Sequence, residues 1–277
     1  MVLTSLSITD IEAGNSLPRG TVMFDSHCHL GDVSESKEAL RRAARAGVRS
    51  VLCCGYDGAS NERVLALRKE LPNLAVAIGL HPWFAQQAID PVVAAIRREQ
   101  PSAIGEIGLE RSERYGLPAP ATQRHVFEIQ LQLAAELKLP VTVHSFGAVS
   151  LVLEVVAAFP NVRGALHAYA GSLEQVKVLL NRGWKVGLGG SVTRAGARRI
   201  RRLACALPLD AILLETDCPS MAVGTRPAAE VRPEHLVEVA DCLAILRGIS
   251  VDSLVEQTNA SARELFGANV VDSTHLG

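Results

Sequence analysis

Eight short apolar runs rich in β-branched residues alternate with longer stretches of helical periodicity, and no other feature of the chain restricts its fold as tightly. The runs lie near Val22 to Asp25, Val48 to Cys53, Leu74 to Ile78, Ala103 to Ile107, Val141 to His144, Gly164 to His167, Lys185 to Leu188 and Ile212 to Thr216. Between them the apolar spacing changes to threes and fours. From Thr122 to Leu137, Val126, Ile129, Leu133 and Leu137 define one stripe, and Pro140 then ends the helix. Further helices are expected over Ser36 to Ala46, Leu173 to Asn181 and Pro233 to Leu246, each stopped by a glycine at 47, 183 or 248. Eight such units in roughly 250 residues predict a (β/α)8 TIM barrel better than an open doubly wound sheet. The domain is expected over residues 21–267, with residues 1–20 and 268–277 as loosely held tails.

A barrel gathers its chemistry at the C-terminal ends of its strands, so the positions of the protonatable residues test the assignment. The first run ends in Asp25-Ser26-His27-Cys28-His29, and residues two apart on an extended chain share a face, so both imidazoles can reach one metal. Cys28 should face away from them. His81 follows the third run, Glu106 closes the fourth, His144 the fifth and His167 the sixth, and Asp217 follows the eighth. Only His125, His235 and His275 fall elsewhere. Any one of these residues alone is more simply read as a satisfied polar group. Seven converging on one mouth would be costly to desolvate without a cation. Nitrogen and carboxylate donors suit Zn²⁺, Mn²⁺ or Mg²⁺, and their number exceeds what one tetrahedral ion needs. Two divalent ions are therefore expected, with Glu106 as the bridging ligand and Asp217 positioned to orient or deprotonate water.

With these motifs in order, the chain resembles the TatD family of metal-dependent deoxyribonucleases, amidohydrolase-like TIM barrels. The resemblance spans about Phe24 to Gly267. It rests on Phe24-Asp25-Ser26-His27-Cys28-His29-Leu30, Gly79-Leu80-His81-Pro82, Gly105-Glu106-Ile107-Gly108-Leu109, Leu139-Pro140-Val141 leading to His144, Leu213-Leu214-Glu215-Thr216-Asp217, and a closing stretch from Thr258 to Gly267. It implies His27, His29, Glu106 and Asp217 around one metal, Glu106, His144 and His167 around the other, and His81 beside them as a substrate or acid-base residue. It also implies hydrolysis of DNA, from single-stranded or frayed ends and in the 3′–5′ direction. The chain departs from the family where loops read substrate. Glu110 stands where an Asp is usual, Ser145-Phe146-Gly147 where an Arg is usual, and Gly224 to Glu230 replaces another common segment. Other substrates therefore stay open, such as the ester of an aminoacyl-tRNA, as does a role as a nuclease-like subunit of a larger assembly.

Net charge is −1, from 28 Lys and Arg against 29 Asp and Glu, so nucleic-acid binding must come from local patches. Arg194, closest to the end of the seventh strand, is the expected backbone contact, with Arg198, Arg199, Arg201 and Arg202 beyond it. Trp83, beside His81, is expected to stack on a base. The six cysteines show no C-x-x-C spacing, which argues against a zinc ribbon or disulfide framework and fits a cytoplasmic protein. The early acidic residues Asp10 and Glu12 do not suit a secretory signal, and no apolar run approaches the length of a membrane span.

Overall fold

A computed structural model describes residues 22–113 and 116–272. Eight parallel strands are hydrogen-bonded in sequence order: β1 (Met23–Cys28), β2 (Val48–Cys54), β3 (Ala75–Ile78), β4 (Ala103–Gly108), β5 (Val141–His144), β6 (Gly164–Leu166), β7 (Lys185–Leu188) and β8 (Ile212–Leu214). Helices α1 (Ser36–Arg45), α2 (Gly58–Glu70), α3 (Asp90–Glu99), α4 (Pro120–Leu137), α5 (Val149–Ala157), α6 (Leu173–Leu180) and α7 (Arg198–Ala206) fill the intervals. After β8 come α8 (Leu236–Arg247), α9 (Val251–Phe266) and the short α10 (Ala268–Val271). This is the (β/α)8 barrel expected from the alternation. The chain beyond β8 closes the seam onto β1: Asp217 N donates to His27 O at 2.9 Å and His29 N to Cys218 O at 2.7 Å. Asp25 reinforces the seam by accepting from both the amide and the hydroxyl of Thr216.

Strand alternation sorts the apolar residues into two layers. Val51, Val76, Ile78, Ile104, Val141, Val143, Val186 and Leu214 pack outward under the helices. Phe24, Leu52, Ala75, Ala77, Ala103, Ala165 and Leu213 fill the lumen. Small lumen residues leave room at the lower end for Leu265 and Phe266 of α9 and for Val270 and Val271. Residues 268–271, expected as part of a loose tail, are instead helical and packed there, and the Ser50 hydroxyl donates to Val271 O. Burial of two valines is the physical reason the chain stays ordered past Gly267. The tail expected over residues 1–20 and the segment 273–277 lie outside the described residues. Among the described residues no helix is long and apolar enough to cross a membrane.

The buried face of α4 also differs in detail from the expected stripe. Val126 and Leu133 are buried, Ile129 and Leu137 only half so, and Phe127, Gln130 and Leu131 complete the face. Gln130 is there because of what lies above it: its Oε1 accepts from Leu80 N at 2.7 Å and its Nε2 donates to Leu80 O at 3.0 Å. Asn61 of α2 clamps Gly79 similarly, donating to its carbonyl at 2.8 Å and accepting from its amide. Two amide side chains thus hold the segment that presents His81. Gln130→Leu would leave both Leu80 backbone groups buried and unsatisfied, so urea unfolding should show a loss of about 2–4 kcal/mol. An unchanged unfolding midpoint would show that the clamp contributes nothing.

Candidate metal centre

Strict alternation aims some of the site residues correctly and would turn others away. His144 and His167 continue the inward parity of Thr142 and Ala165, whereas His81 and Asp217 lie beyond the ends of β3 and β8, Asp217 with φ +51°. On β1 and β4 that parity fails, because Phe24 and Ala103 point inward while His27 and Glu106 lie an odd number of residues further on. Each of these strands carries a register irregularity, between Asp25 and Cys28 on β1 and between Ile104 and Ile107 on β4. These irregularities re-aim His27, His29 and Glu106 into the mouth, a common use of a bulge beside a functional site. Cys28 then joins the outer layer, away from the imidazoles.

Glu106 is the hub of the resulting cluster. Its Oε2 lies 3.6 Å from His27 Nε2 and 3.4 Å from His29 Nε2. Its Oε1 lies 3.3 Å from His81 Nε2, 3.0 Å from His144 Nδ1 and 2.7 Å from His167 Nε2. Asp217 Oδ1 stands 3.2 Å from His29 Nε2 on the β1 side. Three groups, His27–His29–Asp217, His27–Glu106–His167 and His81–Glu106–His144, each have ligand atoms within 4.8 Å of one another. Asp217 Oδ1 and His167 Nδ1 are buried without a hydrogen-bond partner among the described residues, the former despite its closeness to His29. This donor set fits divalent cations, with nitrogen and carboxylate atoms facing one small volume.

The far side of each ring decides what its near side can do. His29 Nδ1 is 3.0 Å from Cys54 O, so it carries the proton and leaves the Nε2 lone pair free for a metal. His27 Nδ1 rests 2.9 Å from Thr142 Oγ1. His144 is reversed, with Nε2 donating to Glu110 Oε2 at 2.5 Å and Nδ1 facing the cluster. His81 differs from all of these: Trp83 N donates to its Nδ1 at 3.2 Å, so the neutral ring must carry its proton on Nε2. That makes His81 Nε2 a hydrogen-bond donor to Glu106 or to a substrate oxygen rather than a metal ligand.

Burial and mutual charge set the protonation of the cluster. Burial opposes ionisation of Glu106 and Asp217, but the surrounding imidazoles outweigh it, His167 and His81 above all for Glu106 and His29 for Asp217, and both carboxyls are held below their usual range. Burial also opposes a charge on His29 and His144, yet the carboxylates of Asp217 and Glu106 beside it raise His29 to about 10, and hydrogen bonding to Glu106 and Glu110 raises His144 to about 9. Burial wins at His27 and His81, which fall to about 4. Beneath the cluster, burial raises Glu215 to about 8, where it accepts from Ala168 N at 2.6 Å directly after His167. Gly187 makes room for that carboxyl, since a Cβ there would stand 2.0 Å from Glu215 Oε2.

All seven sequence-selected residues, His27, His29, His81, Glu106, His144, His167 and Asp217, come together in this mouth. Trp83 borders it, 37% exposed, with its ring 4.8 Å from that of His81. Arg194 does not join them. It is exposed at the end of the turn following β7, while Arg199, one turn into the basic stretch, lines a cavity of about 440 Å³ shared with His144 and His167. Arg111 and Phe146 line the same cavity and carried no signal in the sequence beyond their place in departing loops. Glu110, read only as such a departure, is buried and supports His144.

Comparisons with known proteins find both a family and individual relatives. A sequence model of the family described as TatD related DNase matches residues 24–267. An uncharacterised metal-dependent hydrolase of Haemophilus influenzae is 31% identical over 258 residues, covering 88% of this chain and 98% of that protein. A 3′-5′ ssDNA/RNA exonuclease TatD of Erwinia amylovora is 31% identical over 261 residues, covering 88% and 100%. The crystal structure of YjjV, a TatD homolog from Escherichia coli, matches with a TM-score of 0.82 at 29% identity over 89% of this chain and 98% of that one.

Proposed function

The chain belongs to the TatD family of metal-dependent hydrolases, and within that family we propose that it uses two divalent ions to remove nucleotides from the 3′ end of single-stranded DNA. One observation supports this most directly: the two oxygens of Glu106 face two different sets of donors, as a bridging carboxylate would. On this reading His27, His29, Asp217 and Glu106 hold one ion, and Glu106, His144 and His167 hold the other. Zn²⁺, Mn²⁺ and Mg²⁺ all remain compatible with the donor set. When bound, such ions supply Lewis acidity at a phosphoryl oxygen, acidify water and neutralise charge developing in the displacement.

The remaining chemistry is assigned to the chain. With Oδ1 facing His29 and the ion, the other carboxylate oxygen of Asp217 orients the attacking water and takes its proton, and the leaving 3′ oxygen takes a proton from solvent as its bond to phosphorus breaks. His81 Nε2 donates to a non-bridging oxygen of the scissile phosphate, the role its Trp83 contact favours. Relatives named as exonucleases on single-stranded DNA and RNA support the substrate class. The test is digestion of single-stranded DNA labelled at either end by metal-stripped protein resupplied with single ions. Stepwise shortening of 5′-labelled strands, with immediate release of a 3′ label as mononucleotide, is the expected result. Cleavage of aminoacyl-tRNA esters with intact DNA would replace this reading.

A further inference from the structure

Beyond β4 and β5 the two strands continue to be fastened together. Leu109 N donates to His144 O at 3.1 Å, and Arg111 N donates to Phe146 O at 2.9 Å. Gly147 follows with φ +65°, and a Cβ there would stand 2.3 Å from Arg111 O, so a side chain at this position would force the two loops apart. The result is a fixed wall that carries Arg111 and Phe146 above the metal cluster. Arg199 of α7 lines the same cavity of about 440 Å³ as Arg111 and Phe146, together with His144 and His167.

Three properties of this cavity indicate its ligand. Its volume suits a single small-molecule unit rather than a folded duplex. Phe146 is 61% exposed there, an apolar ring left facing solvent on a rigid wall. Among the described residues neither Arg111 nor Arg199, both lining the cavity, makes a salt bridge, so each guanidinium is open to an anion there. An exposed ring beside two uncompensated guanidinium groups matches a flat heterocycle carrying a phosphate.

We propose that this cavity binds one unpaired nucleotide of the substrate, with its base against Phe146 and its phosphate drawn to Arg111 and Arg199. The assignment rests on the nucleic-acid reading above and adds the residues that recognise the nucleotide beside the cleaved bond. Stacking on Phe146 requires a base free on one face, which selects single strands and frayed ends. No base-specific contact is needed, so the preference is for unpaired nucleotides of any sequence.

The test is calorimetric binding of dAMP, deoxyribose 5-phosphate and inorganic phosphate to the full-length, Mn²⁺-loaded protein. Wild type should bind dAMP about tenfold more tightly than deoxyribose 5-phosphate, the increment expected of one stacked base. Phe146→Ala should abolish that preference while leaving phosphate affinity and melting temperature unchanged, because the ring is largely exposed. Phe146→Tyr should keep the preference. Arg199→Ala should weaken all three ligands about fivefold, and Arg194→Ala should weaken none. Equal affinity for dAMP and deoxyribose 5-phosphate, or a preference that survives Phe146→Ala, overturns the assignment. Protein that degrades end-labelled DNA but gives either of those results loses only the cavity assignment. Protein that binds dAMP through Phe146 but cleaves no nucleic acid loses the hydrolytic reading and keeps the cavity.

Discussion

Glu106→Gln should lower turnover by at least about a thousandfold, roughly 4 kcal/mol at 1.4 kcal/mol per decade, and should strip the protein of most of its metal. The reason is the position of this one carboxylate, whose oxygens lie within 3.6 Å of five imidazole nitrogens. Glutamine preserves the shape, removes the negative charge and turns an amide N–H group toward atoms that should coordinate cations. Both proposed ions lose a shared ligand, so elemental analysis should report a joint loss rather than the loss of one. The barrel should remain folded by circular dichroism, because its two apolar layers do not involve this residue. Glu110→Gln provides the contrast. It leaves every facing donor atom in place and removes only the group behind His144, so metal affinity should fall tenfold to a hundredfold while saturating metal restores the wild-type stoichiometry. Near-normal turnover and metal content in Glu106→Gln would remove the residue from the centre, and indistinguishable behaviour of the two variants would remove the distinction between hub and support.

The same residues mark where sequence reasoning reaches and where it stops. The barrel was legible because alternating runs and helical stripes reflect the two periodicities from which its layers are built. His144 and His167 are legible because each follows the parity of its own strand, and His81 and Asp217 because each stands just past a strand end. His27, His29 and Glu106 were found by residue type and strand-end position, and their actual aim depends on register irregularities that no local pattern encodes. Asn61 and Gln130 were missed for a different reason. A polar residue on a helix reads as exposed, and only the unsatisfied backbone of the loop above explains its burial. Closeness to β7 along the chain does not translate into closeness to the cavity. The turn after β7 leaves Arg194 outside the cavity, and the first turn of α7 brings Arg199 back to it. Phe146 and Arg111 become neighbours only through the fastening of two loops that lie more than thirty residues apart.

Removal of divalent metal should abolish hydrolysis and lower the melting temperature by roughly 10 °C without unfolding the chain at room temperature. A ligand present at a thousand times its dissociation constant stabilises the native state by about 4 kcal/mol per site. For a domain of this size each kcal/mol corresponds to about 2–4 °C, which gives the expected shift from one tightly held ion and a larger one from two. The direction follows from the composition of the mouth. Glu106 and Asp217 are buried together, and without a cation their charge is balanced only by protons held on neighbouring imidazoles, themselves raised against the cost of burial. The fold persists because the lumen is sealed well below the cluster, by Phe24 against Phe266 and by the valines of α10. Differential scanning fluorimetry of chelator-treated protein, followed by readdition of Zn²⁺, Mn²⁺ or Mg²⁺ singly, checks both halves. The ion that restores the highest melting temperature need not restore the highest turnover, since tight binding and fast ligand exchange place opposite demands on the same donors. Full activity and an unshifted transition in protein shown by elemental analysis to be metal-free would overturn the two-ion centre and leave the barrel as the only part of the reading still standing.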